Sequence, residues 1–195
     1  MMTDVILFVL AAMLLLQPAA PDQEIQRIAM EGWRAARAIA PKGGPVDLLG
    51  PVNIRLKELD EIGGMKARYA DAVIRAAVSA AQEERDELKL MLDHARGLSD
   101  LLALTGPPAE WPLPIDEVEG ELWFEVDRFT EARDAYERAA KLKPSANAWI
   151  GLARASDKLA DTPAACRAYQ AAASATKGLP TSVELEISIY QLKCR

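Results

Sequence analysis

Residues 113–177 read LPIDEVEGELWFEVDRFTEARDAYERAAKLKPSANAWIGLARASDKLADTPAACRAYQAAASATK, and one pattern occurs in them twice. Gly120, Ala132, Tyr136 and Ala139 in the first copy stand 33 residues before Ala153, Ala165, Tyr169 and Ala172 in the second. Self-similarity at a period of this length marks an array of stacked helical hairpins. Two antiparallel helices leave an apolar face that only a neighbouring hairpin covers, so small residues must alternate with bulky ones at helical spacing. The predicted repeat helices are 115–126, 129–142, 146–159 and 162–176.

The pattern resembles the tetratricopeptide repeat, a helix–turn–helix unit of about 34 residues. By that resemblance Gly120 is the small residue of the first helix that lets the second approach, and Trp123 fills the large apolar position. Ala132, Tyr136 and Ala139 follow the small–aromatic–small face of the second helix, and Pro144 closes the repeat. The second copy places Trp149, Leu152 and Ala153 on its first helix and Ala165, Tyr169 and Ala172 on its second. It departs twice: Ser156 replaces the large residue found at Trp123, and Lys177 stands where a proline is expected. A degenerate copy at 69–103 has Ala76, Leu88, Leu92 and Ala95 in equivalent places. Its register needs an 11-residue insertion, which LTGPPAEWPLP at 104–114 supplies.

The resemblance implies an all-α fold, with antiparallel hairpins stacked as a short solenoid over 65–195. Residues 21–64 form an N-terminal helical extension and linker. In this extension 22–40 reads as a helix with Asp22 as N-cap and Ile25, Ile28, Ala29, Trp33, Ala36 and Ile39 on one face. The stretch 42–51, KGGPVDLLGP, is a linker, and a short helix at 52–62 ends at Gly63-Gly64. Helices at 65–81 and 84–103 follow. Four prolines exclude a helix over 104–114. Thr181 is the expected cap of a closing helix that hides the last apolar face of the array.

Val5 to Leu16 is an apolar run followed by QPAAPD, the h-region and small-residue cleavage region of a secretory signal peptide over 1–20. The run is too short for a stable membrane span. The n-region departs from the pattern, having no Lys or Arg and containing Asp4. Cleavage after Ala19 or Ala20 predicts a periplasmic or secreted protein; the alternative is a membrane tether that keeps this segment. Cys166 and Cys194 then have two readings: a disulfide favoured by an oxidising compartment, or a buried and an exposed free thiol. The net charge of −6, with basic residues spread among acids, argues against nucleic acid as a partner.

The sequence carries no catalytic or cofactor constellation. His94 is the sole histidine and lacks companion metal ligands at suitable spacing. No G-x-x-x-x-G-K-[ST] or G-x-S-x-G motif occurs. Glu117, Glu121 and Glu125 share one helix face by their four-residue spacing. In tetratricopeptide repeats the inner face of each first helix contacts peptide ligands. That resemblance transfers to Glu117, Glu121, Phe124 and Glu125 in one copy, and to Asn147, Ile150, Arg154, Asp157 and Lys158 in the next. The expected function is binding of a protein or peptide segment in a concave groove, with Phe124 and Ile150 as apolar anchors. The alternative is a small-ligand binder or hydrolase that uses the N-terminal helices and the Pro-rich loop as a lid. Trp111 in that loop either packs on the adjacent hairpin or docks a partner.

Overall fold

The structure, a computed structural model, describes residues 21–39, 49–106, 110–175 and 181–194. The expected signal segment 1–20 and all but the end of the 42–51 linker lie outside these residues. The described residues are all helical, with no strand among them: α1 Pro21–Arg37, α2 Leu49–Ile62, α3 Gly64–Ala81, α4 Arg85–Thr105, α5 Ile115–Glu125, α6 Phe129–Leu142, α7 Ala146–Lys158, α8 Thr162–Ala175 and α9 Thr181–Lys193.

Local chemistry sets the boundaries. Gly63 and Gly64 take φ of 68° and 84°, a region only glycine enters freely, and this separates α2 from α3. At the start of α7 the Ser145 hydroxyl accepts the Ala148 N–H at 3.0 Å, and the Asp161 carboxylate does the same for Ala164 at 3.1 Å ahead of α8. Several expectations shift. Asp22 lies in the first turn of α1 and does not cap it, α1 ends at Arg37 and not at residue 40, and α2 begins at Leu49, inside the expected 42–51 linker. Helix α4 continues through Leu104 and Thr105, because the prolines begin only at 107 and restrict mainly the residue just before them. Thr181 is the first described residue of α9.

Each helix packs against the next in sequence, and α1, α3, α5 and α7 also meet one another in succession. One continuous core runs from Ile25 to Val126, so α1 and α2 share it with α3, α4 and α5. Alanines make the close approach of α3 possible: Ala70, Ala72, Ala76 and Ala77 are all buried, beside Tyr69 and Ile74. The Pro-rich segment closes over this core, as the Tyr69 hydroxyl donates to the Leu113 carbonyl at 2.8 Å. Trp111 packs against the same core, with the Lys66 ammonium 5.5 Å above its ring. A second cluster joins α7, α8 and α9 through Ile150, Ala153, Ala165, Tyr169, Ile187 and Tyr190.

The two clusters meet where glycines make room. A Cβ at Gly120 would lie 2.7 Å from the Tyr136 ring, and one at Gly151 only 2.2 Å from it. The aromatic ring of α6 therefore lies between two side-chain-less patches of α5 and α7. Most of the repeat-packing residues are buried: Gly120, Ala132, Tyr136, Ala139, Ala153, Ala165, Tyr169 and Ala172. Trp123, Trp149 and Leu152 are partly exposed, and Pro144 lies in the open at the hairpin turn.

Helix α9 closes the array. Cys166 of α8 and Cys194 form a disulfide with Cα atoms 5.8 Å apart, and the Tyr169 and Tyr190 rings meet at 4.2 Å. Its far side is not polar, however. Leu185, Ile189 and Leu192 are exposed at helical spacing, so the cap hides the face of α8 while presenting a stripe of its own.

Gly151→Ala is expected to destabilise the chain by about 1–3 kcal/mol in urea denaturation, since the tyrosine ring must move. Gly97→Ala is the control: it is exposed inside α4 with nothing near its Cβ position, and should gain about 0.5–1 kcal/mol.

Candidate functional site

A small open groove of about 180 Å³ lies between α5 and α7. Glu121 and Phe124 come from α5, Asn147, Ile150 and Arg154 from α7, and all five were expected there from their helix positions. Tyr136 and Gly151 form the floor, and Val183 of α9 closes one end. These three were missed. Val183 belongs to a helix with no counterpart in the repeat pattern; Gly151 was legible in principle as an isolated glycine inside a helical run.

Four of the nine expected groove residues lie elsewhere. Glu117 is buried at 7% exposure and accepts a hydrogen bond from the Ser145 hydroxyl at 2.9 Å. Glu125 forms an ion pair with Arg37 at the end of α1. Asp157 is exposed, and Lys158 is too, with its ammonium 5.6 Å over the Phe129 ring. Ile150 also corrects its assigned role. At 5% exposure it belongs to the α7–α9 cluster, so it is part of the groove wall and not a protruding anchor. Phe124 is the apolar side chain left at the surface, packed edge-on against Phe129 at 5.2 Å.

Arg154 is already engaged. It donates to Glu186 of α9 through Nε at 2.8 Å and Nη2 at 2.6 Å, and the Tyr169 hydroxyl donates to the same carboxylate at 2.6 Å. The Arg154 hydrogen bonds hold the Glu186 carboxyl below its usual range, with burial opposing. Glu121 forms no hydrogen bond or ion pair among the described residues. Burial raises its carboxyl above the usual range; Arg37 opposes this, while Glu125 and Glu117 add to it. The groove thus offers one carboxylate that a cation would stabilise, next to a partly exposed phenyl ring.

On the opposite side of α5 lies an arrangement that spacing alone did not reveal. Asp116 and Glu119 are buried, at 7% and 8% exposure. Arg96 of α4 donates to Asp116 and Glu119 at 2.7 Å each, and Arg138 of α6 donates to the same two acids. Two cations against two anions make the group neutral, and the planar guanidinium forks hold three helices in register. Its signal in sequence is the i, i+3 acid pair Asp116 and Glu119 on one helix.

Compared with known protein families, curated proteins and solved structures, the chain matches none. His94 is exposed, and among the described residues no group of three metal-ligating side chains comes together.

The raised Glu121 carboxyl has a measurable consequence. The folded chain binds this proton more tightly than the unfolded one, so ionisation at neutral pH weakens the fold. Glu121→Gln should therefore raise stability at neutral pH. The advantage should shrink as pH falls from the raised value towards the ordinary range near 4.5. Denaturation midpoints of both proteins across this range check it.

Proposed function

We propose that this chain is a non-catalytic protein–protein interaction module, a tetratricopeptide-like scaffold or adaptor. It binds a peptide or protein segment in the α5–α7 groove. The observation that carries the reading is the pairing in that groove of a partly exposed Phe124 with a Glu121 carboxylate that forms no ion pair among the described residues. Such a site suits a segment that sets an apolar side chain beside a Lys or Arg. The order of helix contacts supports the solenoid: each helix meets its neighbour, and alternate helices from α1 to α7 meet in one layer. The use of Tyr136 and Tyr169 at equivalent places in consecutive hairpins supports it too.

Export is part of the proposal. The apolar run before residue 20 has the form of a cleaved signal, and the Cys166–Cys194 disulfide suits an oxidising compartment such as a periplasm. Among the described residues no helix is long and apolar enough to cross a membrane. The exposed stripe of Leu185, Ile189 and Leu192 is a further surface suited to assembly.

A second reading, a small-ligand binder or hydrolase, has Glu121 in its favour, because burial raises its carboxyl above the usual range, the direction in which general acids are tuned. The groove is nevertheless lined from α5, α6, α7 and α9, with none of the described residues of the N-terminal helices or the Pro-rich segment as a lid.

The test is an array of extended peptides carrying an aromatic or leucine residue next to Lys or Arg. It is read against residues 21–195 and against Glu121→Lys with Phe124→Ala. Arg154 is left alone because its loss would release Glu186 and α9. Peptides retained by the parent should lose about tenfold or more in affinity for the variant. Equal retention would remove the groove from the account.

A further inference from the structure

The two hairpins treat equivalent space differently. In the first, Asp116 and Glu119 are locked to Arg96 and Arg138, and Trp123 packs on the main core. One repeat later the positions of Asp116, Glu119, Trp123 and Arg138 are held by Trp149, Leu152, Ser156 and Ala171. The ion network is gone, and a hydroxymethyl replaces an indole. What remains is a cavity of about 510 Å³ between α6 and α8 with α7 beneath it, and all four substituted residues line it. Its size is that of a small-molecule site.

Two observations indicate what it takes. Ser156 lies at the inner end, 0% exposed, and its Oγ has no hydrogen-bond partner among the described residues. A buried hydroxyl without a partner carries a desolvation cost that a ligand atom can remove. At the rim, Arg133 and Lys141 are taken up by Asp134 and Glu137, and Asp161 by the Ala164 N–H. Arg167 forms no ion pair among the described residues, so its guanidinium is open to an anion at a rim whose remaining unpaired charge is the Asp161 carboxylate.

We propose that this cavity is a binding site for a small aromatic carboxylate. The ring enters between the partly exposed Trp149 and Leu152 side chains, into the space that a residue like Trp123 would fill. The ring settles over Ser156, whose sealed hydroxyl must rotate towards the cavity to meet a polar ring atom, and the carboxylate meets Arg167. The site faces away from the α5–α7 groove and does not rest on the peptide-binding reading.

Indole-3-acetate is the probe, titrated into isotopically labelled residues 21–195 and followed by amide NMR shifts, with neutral indole as its twin. Saturable shifts at Trp149, Ser156 and Ala168, with indole binding more weakly than the acid, are expected. Arg167→Glu, an exposed site that leaves the core untouched, should weaken the acid about tenfold. Ser156→Trp, which supplies the first hairpin's own residue, should abolish binding. No saturable shift up to about 10 mM, a range that captures even a very weak site, would overturn the proposal. So would equal binding of indole and the acid, or an acid affinity unchanged by Arg167→Glu.

Discussion

The Tyr136 ring between the backbones of Gly120 and Gly151 is the constraint on which the C-terminal half depends. An aromatic ring in a slot of that width fixes how far α5 and α7 stand apart and how they are turned. The groove follows, because Glu121 and Phe124 are the next positions along α5, and Asn147, Ile150 and Arg154 surround Gly151 on α7. Burial raises the affinity of the Tyr136 hydroxyl for its proton, so the ring stays neutral throughout the physiological range. A floor that carries no charge leaves Glu121 to set the electrostatics of the groove.

Around that wedge the two hairpins use opposite means. The first is closed on its other side by a neutral group of two arginines and two buried acids linking α4, α5 and α6. Replacing such a group by apolar side chains is often tolerated, but it demands volume that fills the same space. The second hairpin has moved its bulk, with Trp149 and Leu152 where Asp116 and Glu119 stood but serine and alanine where tryptophan and arginine stood. Helix α9 compensates at the end of the array. The disulfide, the Tyr169–Tyr190 contact and the Arg154–Glu186 pair all tie it down on the side away from that cavity.

Most of the helix pattern was legible in the sequence because proline, glycine and capping side chains punctuate it; α4 overran the expected boundary only where proline had not yet begun. Five of the eight groove residues were legible through the tetratricopeptide resemblance, which marks the inner face of each first helix and so says which residues share a helix face. It does not say which of them a distant residue will capture. Glu125 was lost to Arg37, Glu117 to Ser145, and Arg154 to Glu186, all partners from other helices. Ile150 sank because α9 covers it, and the repeat pattern contains no α9. The cysteine pair had two readings because side-chain direction is invisible in sequence; only the placement of α9 brings Cys194 to Cys166.

The most direct test is a double-mutant cycle on the wedge, measured by denaturant unfolding of Gly151→Ala in the parent and in Tyr136→Ala. If the ring holds the hairpins apart, the alanine methyl is costly with the tyrosine present. It becomes neutral or favourable once the ring is gone, a coupling of about 1–3 kcal/mol between the two sites. An equal cost in both backgrounds would contradict the account, because Gly151 would then matter for a reason other than the ring it faces.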